Sequence, residues 1–576
     1  SLDEVRDLLL EEVAKLREGD FDEKLIEATI NNYKMELMRS FEENDSRAIL
    51  YVYSFISGAD WADEVARLDR MSKITKQDVV EWANKYLGPE SYAIIYKREG
   101  KDPDEQKIAA PKITPIVTNR DSQSEFLSEI QTSQVQPIEP VFVDYKKDMS
   151  QFEAQPGIDV LYKKNETNDI FTLIYVFNTG TENDPALNLA FNYLSYLGTD
   201  KMTAEEIASE MYDIACSFYM NAGANQSSIQ ITGLSENMGK AMEIVEGLIA
   251  GAKPDEAILE NCKADMLKSR ADAKLNQSRC FGALQRYLFY GGDFIRRTTL
   301  TDPALQALTS EQLLAKIGGL MGKQHEVLYY GPQDEAEVKA ALAAHHKVAA
   351  DLQPLEKKFS TLQPTDENKV MIAQYDAKQL YYMQYSNRGE KFDLAADPQI
   401  TLYNEYFGGG MNTIVFQEMR EARGLAYTAW ATLATPSNAN GDYSYYAFIA
   451  TQNDKMQKAV EAFDDIINNM PESEKAFGIA KEALVSRLRT ERTVKDGVLW
   501  SYLRARDLGL DAPRDKQIFE KVQSMTLDDV KAAQQKRVKG RKYVYGILGD
   551  IQDLDLNYLK TLGPIQTVSQ EEIFGY

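Results

Sequence analysis

Tyr406 to Trp430 reads YFGGGMNTIVFQEMREARGLAYTAW, a run that holds a glycine turn, a short amphipathic helix, a second glycine stop and a strand. Met411 stands before a helix cap at Asn412 and staples onto Phe416, while Val415, Met419 and Ala422 recur at helical spacing on one face until Gly424 ends the helix. Arg420 thus falls in the last turn. Beyond Gly424, Tyr427, Ala429 and Ala431 alternate with Thr428, Trp430 and Thr432 as strand residues do. Arg420 and Tyr427 then flank one tight corner, within reach of a common groove. No Lys-Ser/Thr pair follows Gly408 to Gly410, which argues against a phosphate loop there.

Outward from this run the chain repeats itself. Three segments share an ending: ITKQDVVEWANKYLGPESYAIIYK from Ile74, LTSEQLLAKIGGLMGKQHEVLYYG from Leu308 and MTLDDVKAAQQKRVKGRKYVYGILG from Met525. Thr75 with Asp78, Thr309 with Gln312 and Thr526 with Asp529 mark three helix starts, each followed by a tyrosine-rich strand. Long helical stretches from Phe21, Pro254 and Pro471 precede the three caps.

Only the second and third copies have a front half. The stretch from Ile170 parallels that from Leu380, each a strand, a turn and a helix ending in glycine, and hairpins follow around Gly223 and at Asn440-Gly441. The copies lie 210 residues apart from Gly198 to Gly408 and 218 apart from Met238 to Met456, a difference that a longer hairpin around Pro436 to Asn440 absorbs. The expected architecture is α+β: repeated domains, each an antiparallel-rich sheet packed with helices. Residues 1–97 form the helical tail of one domain, 98–141 a linker, 142–352 a complete domain and 353–576 another. Pro103, Pro111, Pro115, Pro137 and Pro140 punctuate the linker, in which FLSEIQ from Phe126 packs as a short turn.

A chain of 576 residues supports several cores. Its 65 basic against 89 acidic residues, a formal charge of −24, argue against a nucleic-acid surface, which needs clustered cations. Such an acidic surface suits solubility or the attraction of basic peptides. Cys216, Cys262 and Cys280 are too few and too dispersed for a disulfide framework or a metal clip, and the redox compartment stays open. No apolar run reaches the roughly 20 residues needed to span a bilayer. Ser1 to Arg6 carries no signal-peptide character, and SLDEVRDLLLEEVAKLREG reads as a helix entered mid-domain, the start of a fragment with no targeting signal from which to assign a compartment.

The run from Tyr406 resembles the C-terminal domains of the pitrilysin/insulinase family of zinc metallopeptidases, in which an Arg and a Tyr seven residues apart hold the backbone of a bound peptide. Arg420 and Tyr427 match that spacing. A guanidinium fork and a phenol suit hydrogen bonding to a peptide carbonyl. The same residues also fit a helix C-terminus and a strand edge without any ligand.

The resemblance further implies four domains forming a closed chamber. Zinc is held by an HxxEH helix in the first, whose Glu activates water, and the fourth supplies the substrate-holding pair. The corresponding positions before Gly198-Thr199 are Leu189, Asn192 and Tyr193, none of which replaces the lost ligands. Asp265 falls near the family's more distant glutamate ligand but has no histidines to join. The three histidines of the chain, His325, His345 and His346, lack the i, i+4 spacing of a helical chelate; His325 falls in a strand and the other two at a solvated helix end. No Arg lies between Lys201 and Gly223, so the earlier copy lacks a counterpart of Arg420.

No catalytic or metal residue is therefore expected in this chain. Zinc is implied for an N-terminal half outside it, and the partners are a peptide substrate and that HxxEH-bearing half. The alternative is a non-catalytic subunit or scaffold that keeps this fold without its chemistry, or a partner that completes an active site on a separate HxxEH-bearing chain.

Overall fold

The computed structural model describes residues 2–89, 92–97, 100, 124–134 and 136–576. Two compact units emerge, one of residues 1–34 with 48–139 and one of 35–47 with 140–576. The first contains helices Leu2–Glu18, Trp61–Val65, Arg67–Met71 and Lys76–Tyr86, with parts of Lys24–Glu42 and Asn44–Ser57. Asn84 donates to the Arg17 carbonyl at 2.7 Å and Lys76 to the Phe21 carbonyl at 2.6 Å, pinning the last long helix to the first turn. Among the described residues of this unit no strand forms, and the Tyr96 hydroxyl instead accepts from Arg6 and donates to Asp3, each at 3.1 Å.

Residues 101–123, with Pro103, Pro111 and Pro115 of the expected linker, lie outside the described residues. A two-turn helix, Glu125–Thr132, capped by Ser124, stands where a packed turn was expected, and Phe126 and Ile130 point to solvent.

The second unit holds two six-stranded sheets. Strands β1 (Ser150–Gln155), β2 (Ile158–Lys164), β3 (Ile170–Phe177), β4 (Cys216–Ala222), β5 (Ser227–Leu234) and β6 (His325–Gly331) lie in the order β1-β2-β6-β3-β5-β4. Strands β7 (Lys369–Gln374), β8 (Gln379–Lys391), β9 (Thr428–Ala434), β10 (Asp442–Gln452), β11 (Val544–Gly549) and β12 (Ile565–Val568) lie in the order β12-β7-β11-β8-β10-β9. The two orders superpose from β2 to β4 and from β7 to β9. Most pairings are antiparallel; β2 with β6, β7 with β11 and β12 with β7 are parallel. The fold is α+β, as the alternation of strand and helix patterns implied.

All three Thr helix starts form as read. The side chains of Asp78, Gln312 and Asp529 each accept the N–H of the Thr that caps their helix, at 2.8, 3.0 and 2.8 Å.

Each sheet buries its front face under helices of its own copy. The back faces are covered differently. Helix Gln277–Tyr290, from the copy of the first sheet, lays Cys280, Phe281, Leu284 and Leu288 on Met371, Met383, Tyr385, Val544 and Leu548 of the second. Helix Gly497–Asp507, from the copy of the second sheet, lays Val498, Leu499 and Leu503 on Leu161, Ile174, Val176 and Leu328 of the first. Gly546 on β11 makes room for this exchange, since a Cβ there would stand 2.4 Å from Leu288 Cδ1. The two copies thus share their cores reciprocally, which is why they cluster as one unit.

Candidate functional site

The corner around Gly424 departs from the expected pitch. Thr413, not Asn412, is the N-cap residue, with its hydroxyl donating to the Gly410 carbonyl at 2.7 Å, and Met411 is exposed rather than stapled. Only Ile414–Phe416 is α-helical; Gln417–Ala422 is a wider π-helical turn. Val415 and Met419 are buried as the apolar spacing required, but the wider turn rotates Ala422 out to solvent.

Gly424 ends the helix at φ +57°, a left-handed conformation that costs glycine little. The Leu425 N–H then donates back to the Met419 carbonyl at 2.9 Å, and the chain reverses into β9. This reversal carries Tyr427 over Arg420. The guanidinium carbon lies 4.7 Å from the Tyr427 ring centre and 5.0 Å from that of Phe416, one helical turn earlier.

Both side chains reach solvent, Tyr427 at 72 % and Arg420 at 38 % relative exposure. The nearest carboxylate to the guanidinium is that of Glu421, 3.7 Å from Nε. Among the described residues the Tyr427 hydroxyl makes no hydrogen bond. Arg423, by contrast, is committed to Glu418 and Asp465, at 3.3 and 3.1 Å. Arg420 therefore presents N–H donors from a position set by aromatic contact with Phe416 and Tyr427 and by a long ion pair with Glu421. Sequence reading had paired Arg420 with Tyr427 alone; the i, i+4 spacing of Phe416 and Arg420 was the signal for the third member.

The strand beside this corner is the edge of its sheet, and most of that edge is closed. The Asn404 side chain accepts from Leu433 N–H at 2.8 Å and donates to its carbonyl at 2.9 Å, and the Gly408 carbonyl accepts from Ala431 N–H at 3.4 Å. By the alternation of an antiparallel ladder, the next outward-facing backbone position is Ala429, two residues from Tyr427.

The positions aligned with the zinc helix do not fit a metal. Leu189 and Tyr193 are fully buried in helix Leu187–Leu194, and Asn192 and Asp265 face solvent. The Tyr193 hydroxyl accepts from Asp255 N–H at 2.7 Å and lies 2.8 Å from Ser310 Oγ, so a phenol ties the helix to its neighbours at the position that the resemblance assigns to a ligand. Among the described residues no cluster of three or more His, Cys, Asp or Glu side chains is arranged to hold a metal ion.

The histidines correct the sequence reading. His346 is not at a solvated helix end: it is buried, its Nδ1 2.6 Å from Glu246 Oε1 and its Nε2 2.8 Å from His325 Nε2. His325 Nδ1 lies 2.8 Å from the Lys323 carbonyl, and the Tyr175 ring lies over His346 with centroids 4.2 Å apart. Burial, reinforced by His346, pushes His325 down to about 4. All three cysteines are free and buried, and burial pushes the Cys216 thiol up to about 12.

Residues 323–484 match the model of a family described as the peptidase M16 inactive domain. Over 309 residues the chain is 24 % identical to an uncharacterized zinc protease of Rickettsia bellii, covering 52 % of this chain and 70 % of the relative. The crystal structure of a peptidase M16 inactive domain from Pseudomonas fluorescens superposes with a TM-score of 0.56 at 18 % identity, over 70 % of this chain and 98 % of that one. The periplasmic protease PqqL from Escherichia coli superposes at 0.54 and 13 % identity, over 94 % of this chain and 63 % of that one. At these identities the solved structures share the fold.

Proposed function

We propose, from the premise that this chain carries the M16 inactive domain of a zinc protease family, that it is the substrate-holding, non-zinc part of a pitrilysin/insulinase-type metalloendopeptidase. Arg420 and Tyr427 donate to the backbone of a peptide that lies along the corner. The observation that carries this reading is the guanidinium 4.7 Å over the Tyr427 ring, with donors turned to solvent and the phenol hydroxyl unbonded among the described residues. A planar fork held by rings loses little freedom when it meets a carbonyl, so its hydrogen bonds go to orienting the substrate.

Zinc, its HxxEH ligands and the general-base Glu come from an N-terminal half, either in the same polypeptide or on a separate partner chain. The filled positions at Leu189 and Tyr193 support that division of labour. Together the halves enclose the peptide in a chamber.

Hydrolysis of a peptide library by the purified chain, with and without added zinc, tests the division. No cleavage is expected. Zinc-dependent cleavage by material of this length alone refutes it.

A further inference from the structure

β4 and β9 are the equivalent edge strands of the two sheets. β9 is largely closed by its own copy, through the Asn404 side chain on Leu433 and the Gly408 carbonyl on Ala431. β4 has neither device. In the register that matches Tyr193 to Tyr403 and Gly198 to Gly408, Leu194 takes the place of Asn404, a buried aliphatic side chain with no hydrogen-bonding group. The Gly198 carbonyl is engaged elsewhere, accepting the Lys253 N–H at 2.9 Å.

The ladder fixes which backbone groups are left over. Gly223 N–H donates to the Gln226 carbonyl at 2.8 Å and Leu234 N–H to the Ala215 carbonyl at 3.3 Å, so the odd-numbered residues of this segment bond to β5. Phe218 and Met220 therefore turn their N–H and C=O outward. Among the described residues those groups have no hydrogen-bond partner. Along CSFYMNA there is also no charge, no proline and no bulge, the features that blunt an edge strand.

We propose that β4 takes an extended peptide as an added antiparallel strand, a second grip on the peptide apart from the Arg420–Tyr427 corner. This deepens the reading of the chain as the substrate-holding part of a peptidase, which it rests on for the identity of the occupant. The side chains set the preference. Phe218 and Met220 are partly buried on the helix side of the sheet, whereas Tyr219 is 64 % exposed on the other. A peptide paired here alternates apolar residues beside Phe218 and Met220 with residues beside the Tyr219 ring. Helix Ala204–Asp213, which packs on β4 and runs into it, holds Glu205, Glu206, Glu210 and Asp213 and no basic residue. Glu210 pairs loosely with Lys240 at 3.9 Å, and the other three meet no cation among the described residues. Lysine or arginine therefore suits the positions beside Tyr219.

The probe is a fluorescent hexapeptide of alternating lysine and valine, its binding read by anisotropy. All measurements use the full chain carrying Arg420→Ala, so that the corner does not contribute. N-methylation of the alternate amides that face β4 is expected to weaken binding at least tenfold, and methylation of the intervening set to leave it within threefold. Met220→Pro deletes one outward N–H at a place where an edge strand tolerates proline. It is expected to weaken binding at least tenfold at an unchanged melting temperature; if that variant unfolds, the methylated peptides decide alone.

Equal binding of the two methylated peptides shows charge attraction without strand pairing and overturns the proposal. Absence of binding overturns it too. So does a concentration-dependent dimer that excludes the peptide and is abolished by Met220→Pro, which assigns the edge to a second copy. Full turnover by Arg420→Ala in the assembled enzyme, with this binding intact, removes the role of the corner and leaves β4 standing.

Discussion

Arg506 donates two hydrogen bonds to the Glu326 carboxylate, at 2.5 and 2.8 Å, reaching from helix Gly497–Asp507 to strand β6 of the other copy's sheet. Glu326 is buried and the guanidinium is partly solvated. Arg506→Ala removes the fork that neutralises a buried carboxylate. The expected loss is about 2 kcal/mol, below that of a fully buried pair because water still reaches the guanidinium. Arg506→Lys, a point donor in place of a fork, is expected to recover only part of it. Denaturant melting of the three proteins measures both differences.

The exchanged helices carry the second prediction. Leu284 and Leu499 are fully buried, each on a sheet of the other copy. Leu284→Ala and Leu499→Ala are each expected to cost about 2 to 5 kcal/mol through lost transfer and a residual cavity. Because the cores interlock, either change should shift the unfolding of both copies together. Two separated transitions, with only one moved, would show independent cores.

Acid should weaken the buried histidine pair. His325 holds its pKa near 4 in the fold but takes a proton near pH ~6.5 once unfolded. Between those values the unfolded chain binds more protons, so this contribution is complete above about pH 6.5 and is lost as the pH falls toward 4. At ~1.4 kcal/mol per pKa unit the loss is about 3 kcal/mol at most. The titratable groups facing the ring are His346, Tyr175 and, through His346, Glu246, beside the Phe177 ring and the Lys323 carbonyl. His325→Gln should flatten the melting temperature between pH 6.5 and 4 relative to the wild type. Parallel curves for the two proteins contradict this assignment.

Local chemistry made much of this architecture legible, and tertiary context hid the rest. The caps at Thr75, Thr309 and Thr526 and the strands after the last two are set by neighbours in sequence, and they formed as read. In the first copy the described residues of the corresponding segment form no strand. Amphipathicity says that Leu284 and Leu499 must be buried but not against which sheet, so the exchange of helices was invisible. At the corner, α and π turns place Val415 and Met419 on the same side and diverge only at Ala422. His346 was misread because adjacent histidines at a helix end are usually solvated, whereas here the chain leaves the helix at His346 and turns the ring inward onto Tyr175 and Glu246. Arg420 and Tyr427 stand on one corner, the guanidinium over the ring, and an assay of peptide turnover tests their role.

That assay is the turnover of a peptide substrate by the chain assembled with its HxxEH-bearing half, comparing wild type with Arg420→Ala and Tyr427→Phe. The account predicts that each variant loses about ten- to hundredfold in kcat/KM, on the order of 1 to 3 kcal/mol, with an unchanged melting temperature. Full turnover with a lowered melting temperature would contradict it, leaving the Arg420–Tyr427 contact as packing alone.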